Sequence, residues 1–450
     1  MPPDTSVLTL PGALLTLLMG TLILVLPRRF ALLPIAFITC YMTFGQELVV
    51  AGLHFTMLRV LVLFGCARIV LWMEFRSFKW LRIDTLMALW VISDTIVYTL
   101  RLHSPGALIN RLGFAYDASG LYFIFRILIR DFDDIKRTCR LFAVMVFPLA
   151  IFMCIEKGTG RNLFYAFGGV SEFTSIRDGA LRCQGPFSHP ILAGTFGAVW
   201  TPLFLGLWQQ GKGNRVLALV GILSSTAITF LAASTGPLAT YLAGILGIGM
   251  WLMRKHMRAV RRGILTLLVG LDILMSGHIW YIFGYMSSQQ VGFEGSQGLH
   301  RTVLVDAMVR HFSEWCLLGT SVAHLSQWGV HGGDITNQYV GEAVEGGLVT
   351  LILFISIIVF AFSRFGLAMR AVETESRPSH LLLWSVGSML FAQVITFLDV
   401  TYFDQNIINW YLVLAMAATA TIVYRSRTEL CPEWTRGGAV PSPLGTLEKA

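Results

Sequence analysis

Between Val216 and Met253 the chain runs for 38 residues without one charged side chain. A helix that crosses a bilayer needs roughly 20 apolar residues, because each residue rises 1.5 Å and the hydrocarbon layer is about 30 Å thick. As one helix this run would reach roughly 57 Å, nearly twice that thickness. It therefore predicts two spans joined by a tight turn, and Ser234-Thr235-Gly236-Pro237 supplies the turn chemistry.

The same reasoning applied along the chain predicts an all-α polytopic membrane protein of about 12–13 transmembrane helices. The spans centre near residues 8–26, 30–46, 55–73, 83–100, 113–130, 141–156, 188–209, 216–233, 238–253, 263–283, 341–363, 381–400 and 408–424. Residues 1–424 thus form the multi-pass domain. The fourth and fifth spans are the weakest, being interrupted by Asp94, Asp117 and Arg126. Only 13% of the residues are charged, against about 25% in a soluble domain, which excludes a soluble fold. No basic region precedes the first apolar run, and Pro27-Arg28-Arg29 follows it rather than a small-residue cleavage site, so no cleaved signal peptide is expected.

Lys and Arg concentrate on the cytoplasmic side of membrane proteins. With the N-terminus outside, the inner segments carry roughly 23 of the 34 Lys and Arg, the outer segments about 8, and the spans about three. The opposite orientation reverses that bias. The tail, 425–450, is accordingly expected in the cytoplasm. Short basic clusters between apolar segments also account for the net charge of +8 without any nucleic-acid partner. The seven cysteines include no CxxC pair and no metal-ligand spacing. Cys183 and Cys316 both fall outside, where a disulfide is one option.

Two outer loops stand out by length, about 157–187 and about 284–340, and long loops in compact proteins tend to carry function. The first closes with the run RCQGPFSHP, Arg182 to Pro190. Ser188 is the expected N-cap of the next helix, and Pro190 suits its first turn. An arginine beside a helix N-terminus makes an anion site, so Arg182 has a phosphate, a lipid headgroup or a loop carboxylate as its alternatives. His189 reads as a capping or interfacial residue.

In the second loop, Gly298 to Trp315 has helical spacing, with Val303, Leu304, Ala307, Met308 and Phe312 on the apolar face. Arg301 lies near the start of that helix, where a cation opposes the helix dipole, a conflict that an anionic ligand would relieve. Asp306 and Arg310 are spaced as a surface ion pair. His331, Asp334, Asn337, Glu342 and Glu345 then cluster at the entrance to the eleventh span. Carboxylates entering a membrane usually face a polar cavity, and one of this group can be a general base; the alternative is helix capping and a Gly-rich hinge. Arg59, Asp94, Asp117, Arg126 and Asp272 lie within spans, where ion pairing and ligand contact are the two options. Asp399 and Asp404, at the outer end of the twelfth span, can line the same cavity, and Trp315, Trp328 and Tyr339 can stack on sugars or form an interfacial belt. The chain has no Walker loop, HExxH or Rossmann fingerprint.

Four motifs in order are similar to those of a known family: R-x-x-G-P-F-x-H-P opening a span, S-T-G-P at an outer hinge, H-R-x-x-L-x-x-A in a large outer loop, and N-x-Y-x-x-x-x-x-E-x-G-L-V leading into the next span. Over roughly residues 160 to 363 this order resembles the O-antigen ligase and polysaccharide polymerase family of bacterial inner membranes. The resemblance implies an enzyme without cofactor or metal. It implies a glycosyltransferase that moves a glycan from undecaprenyl diphosphate to an acceptor sugar hydroxyl on the periplasmic side, with inversion. Arg182 and Arg301 match the family's functional arginines, which implies that they grip the diphosphate. His331 and Asp334 are the candidate bases, and Asn337, Tyr339, Glu345 and Arg59 are secondary candidates for substrate contact. Ligases carry a His-Asn pair where this chain has Thr336-Asn337, which favours an exopolysaccharide or O-antigen repeat-unit polymerase over a ligase. A transporter of the lipid-linked saccharide is the alternative from another class. The partners implied are the undecaprenyl-diphosphate-linked oligosaccharide, membrane lipid, and chain-length and export proteins.

Overall fold

The computed structural model describes residues 8–43, 45–50, 53–177, 179–274, 278, 280–281, 297–330, 335–371 and 377–430. The helices are α1 Leu10–Val25, α2 Leu33–Tyr41, α3 Met57–Leu71, α4 Arg82–Leu102, α5 Pro105–Leu128, α6 Phe132–Thr159, α7 Pro190–Trp208, α8 Lys212–Leu231, α9 Thr235–Gly249 and α10 Met257–Leu274. They continue with α11 Gln297–Arg310, α12 Phe312–Trp315, α13 Val322–Gln327, α14 Gln338–Ala371, α15 Arg377–Thr396 and α16 Asn406–Leu430. Two short antiparallel hairpins complete the described elements: β1 Glu47–Val50 with β2 Leu53–Thr56, and β3 Ser175–Arg177 with β4 Ala180–Arg182.

Each of the thirteen expected spans contains helix. Seven described helical stretches are long and apolar enough to cross a membrane: α4, α6, α7, α8, the run Thr235–Leu274, α14 and α15. The protein is an all-α, multi-pass membrane protein. Helices α1 and α16 contribute shorter apolar stretches, while α2 has nine residues and α3 fifteen. The uncharged run divides at Ala232–Ser234, the leading edge of the expected turn, and Thr235–Pro237 open the second helix. Helix α8 ends at Leu231, Ala233 takes a left-handed φ of 45°, and α9 starts at Thr235.

Helix α7 is the centre of the bundle, buried almost all round by α6, α8, α9, α15 and α16. Small residues let its backbone approach its neighbours closely, as is common between membrane helices. A Cβ on Gly197 would lie 2.7 Å from the Ser225 carbonyl oxygen, and one on Gly194 would lie 2.8 Å from Pro237. Buried amides then lock α16 onto α7. Asn406 Nδ2 donates to Leu192 O at 3.0 Å, and Trp200 Nε1 donates to Asn409 Oδ1 at 3.0 Å. Such bonds average about 0.6 kcal/mol in a membrane protein, so close packing carries the larger share.

Four of the five ionisable residues read within the spans, Arg59, Asp94, Asp117 and Arg126, form ion pairs. Arg59 meets Asp117 at 2.8 Å, and Arg126 meets Asp84 at 3.4 Å. Asp94 pairs with Arg111, which also binds Glu345 at 2.8 Å and stacks over the Tyr98 ring. Arg310 and Asp306 form the expected surface pair at 2.7 Å. Cys183 and Cys316 are both free thiols, so the disulfide option is not taken. The tail from residue 431 lies outside the described residues, and α16 continues to Leu430.

Candidate active site

The segment that carries Arg182 is fixed from four directions. Glu156, in the last turn of α6, accepts from the amides of Gln184 at 3.1 Å and Gly185 at 2.9 Å. Asn162 Nδ2 donates to Gly185 O at 2.7 Å, and the Cys183 amide donates to Leu231 O, the last residue of α8, at 3.0 Å. Gln405 Nε2 reaches Pro186 O at 3.2 Å. Gly185 sits at φ 56°, a left-handed turn that glycine adopts without penalty. Arg182 itself is only 7% exposed at the end of β4.

The expected N-cap moves by one residue. His189, not Ser188, caps α7: its Nδ1 accepts from the Ile191 amide at 3.1 Å. Ser188 is thereby released, and its hydroxyl donates to Asp404 Oδ2.

Arg301 occupies the second turn of α11, and the predicted apolar face is real, with Leu304, Ala307 and Met308 buried. Phe312 departs from it: it lies past the end of α11 and is 46% exposed. The conflict between Arg301 and the helix dipole is met by a carboxylate of the protein, since Arg301 forms an ion pair with Asp399, and the two side chains are 14% and 17% exposed. Asp399 in turn presses against Gly236 of the Ser234–Pro237 hinge. Arg182 and Arg301 therefore both border the α8–α9 hinge, one through Cys183 and Leu231, the other through Asp399 and Gly236.

The N-x-Y motif is drawn to the same place. Asn337 caps α14, its Oδ1 accepting from the Tyr339 amide at 2.9 Å and its Nδ2 donating to Leu398 O at 3.3 Å. The Gln338 amide donates to Phe397 O, the Tyr402 amide donates to Gln338 Oε1, and the Thr401 hydroxyl donates to Ile335 O. Tyr339 Oη donates to Val394 O, so this ring is part of the packing. Glu342 is buried, bound by Trp90 Nε1 at 2.7 Å and Gln338 Nε2 at 2.8 Å.

One loop, residues 397–405 between α15 and α16, thus touches all three motif-bearing segments. It holds two carboxylates in unlike settings. Burial pushes the Asp399 carboxyl up, and the adjacent Arg301 draws it back. Burial pushes Asp404 up to about 7, opposed only by a hydrogen bond from the Ser188 backbone. A loop of this kind can position a cation against a developing anion and a carboxylate against a departing proton.

The remaining candidates divide. Glu345 belongs to the Arg111–Asp94 cluster beside this site. Arg59 follows the β1–β2 hairpin, its guanidinium committed to Asp117 and to His54 O at 2.6 Å. His331 and Asp334 lie outside the described residues. Among the described residues no His, Cys, Asp and Glu group of three or more is placed to hold a metal ion. Asp399 and Asp404 carry more of the site than their position at the end of a span announces; the only signal in sequence was a pair of carboxylates closing an apolar run. No family model matches the chain, and no curated protein matches it.

Proposed function

We propose that the protein is a polysaccharide polymerase of the bacterial inner membrane. It transfers a glycan from undecaprenyl diphosphate to a sugar hydroxyl on the periplasmic face, and its C-terminal tail lies in the cytoplasm. The observation that carries this function is the convergence of the Arg182 segment, Arg301 and the Asn337 cap on loop 397–405. These are the same motifs on which the family resemblance rests.

The residue types suit the reaction. Displacement at an anomeric carbon passes through an oxocarbenium-like transition state, and the departing diphosphate gains negative charge. Guanidinium groups stay charged at any working pH and contact phosphate oxygens in pairs, so Arg182 and Arg301 stabilise the leaving group. Asp399 neutralises Arg301 until the donor arrives, and the diphosphate then competes with that carboxylate for the guanidinium.

Arg182→Ala and Arg301→Ala should each abolish polymer while leaving the protein inserted in the membrane at its normal level. Near-normal polymer from both variants would sink the assignment. A null strain separates polymerase from ligase, because loss of a polymerase leaves single lipid-linked repeats and loss of a ligase leaves long lipid-linked polymer. Transfer by purified protein given substrate on the outer side alone rules out a purely transporting role.

A further inference from the structure

Glycosyl transfer releases a proton from the acceptor hydroxyl, and the described residues contain a group built to receive it. Asp404 adopts a left-handed backbone, φ 52°, a strained conformation for a residue with a side chain and one that persists where the surroundings impose it. Its carboxylate does not cap α16. The amides of Ile407 and Ile408 donate instead to the main-chain oxygens of Asp404 and Gln405. The side chain turns to the neighbouring segment, where Oδ2 accepts from the exposed Ser188 hydroxyl. Five residues earlier on the same loop, Asp399 is paired with Arg301, whereas no Lys, Arg or His among the described residues pairs with Asp404. Two carboxylates of one site are thereby held for different tasks.

We propose that Asp404 is the proton acceptor for the incoming sugar hydroxyl, with Ser188 orienting its carboxylate. This assignment rests on the glycosyl-transfer function. The acceptor oxygen forms a bond to the anomeric carbon as the bond from that carbon to the diphosphate oxygen breaks. The hydroxyl proton passes to Asp404, and the bonding pair leaves with the carrier diphosphate, beside Arg182 and Arg301. Solvent then takes the proton from Asp404 before the next turnover. A carboxyl pushed up to about 7 is basic enough for this and is still ionised near neutral pH. The charged and titratable groups on the elements around Asp404 are Arg182, Cys183 and His189 on the segment that carries Ser188, Glu156 beneath that segment, Tyr402 on the same loop, and Asp399 with Arg301.

The test uses full-length protein in lipid vesicles, with lipid-linked glycan extracted from the null strain as donor and undecaprenyl diphosphate as the binding probe. For the wild type the transfer rate should rise about tenfold per pH unit below about 7 and level off above it, because only the ionised carboxylate accepts a proton. Asp404→Asn should lower the plateau at least about 100-fold and remove the break, with undecaprenyl diphosphate binding within about threefold of wild type. Asp404→Glu should recover part of the rate. Ser188→Ala removes the hydroxyl that orients the carboxylate, so its plateau should fall several-fold while undecaprenyl diphosphate binding is kept. A rate for Asp404→Asn within threefold of wild type overturns the assignment. So does joint loss of rate and binding in both Asp404 variants, or a Ser188→Ala plateau equal to that of wild type, which remains informative if Asp404→Asn fails to fold. Wild-type protein that transfers nothing overturns the glycosyl-transfer function itself. Wild-type transfer indifferent to Asp404 overturns the base alone.

Discussion

A Cβ built on Gly236 would overlap Oδ2 of Asp399. Alanine there must displace the Asp399 carboxylate that Arg301 holds, so a single methyl group disturbs both the hinge and the ion pair. Overpacking of this kind costs about 1–3 kcal/mol. Gly236→Ala should therefore lower the melting temperature of the detergent-solubilised protein by several degrees and reduce transfer. Gly213→Ala, where a Cβ meets nothing within 4 Å, should change neither. Equal melting temperatures for the two variants would refute the close contact. Arg301 shows how far the residue scale can be read from sequence. Its conflict with the α11 dipole is visible in the spacing, but its relief comes from a carboxylate 98 positions away, which no local pattern announces.

At the scale of elements, α14 is the informative one. A Gly-rich hinge is legible in sequence at Gly346-Gly347, and the chain does break there, with Gly347 at φ 68° inside the helical run. The polar groups that the break exposes are taken up by the preceding loop. The Thr320 amide donates to Val344 O at 2.8 Å and the Leu348 amide donates to Cys316 O at 2.9 Å. The Arg101 guanidinium, from α4, also donates to Val344 O and to Thr320 O. Backbone groups at membrane depth must find such partners, because lipid offers none. Arg101→Met should therefore loosen the break. Hydrogen exchange at the amides of residues 344–348 should accelerate at least about tenfold, the equivalent of about 1.4 kcal/mol, while α7 and α8 keep their protection. Unchanged exchange at those amides would mean that Arg101 has no part in holding the hinge. No local pattern marks Arg101 as a partner, since Thr320 and Val344 lie 219 and 243 residues further along the chain.

For the whole molecule, the charge count and the packing agree on a two-ended object. One end gathers Arg182, Arg301, Asp399 and Asp404 around loop 397–405. Arg28, Asp134 and Arg137 are linked where α1 runs out and α6 begins, which is the opposite end of both helices from the first group. In the proposed orientation, which rests on the asymmetry of Lys and Arg, the first end faces outward. A cysteine introduced at Ser171, in the first long loop, should react with a membrane-impermeant maleimide added to spheroplasts. A reporter fused after Ala450 should behave as cytoplasmic. The reverse pattern would turn the proposed periplasmic face around.

Hydropathy, caps and charge bias act within about twenty residues, so the sequence by itself determined the all-α multi-pass architecture, the break near Ser234 and the helix around Arg301. It also placed Arg182 and Arg301 as the cations of interest from their own motifs. Only the tertiary structure decided which carboxylates answer them. The Ser188–Asp404 contact joins residues 216 apart, and the Arg301–Asp399 pair joins α11 to a loop beyond two further spans. Pairings of that kind are set by how the helices pack around α7, and packing is a property of the whole chain rather than of any stretch of it.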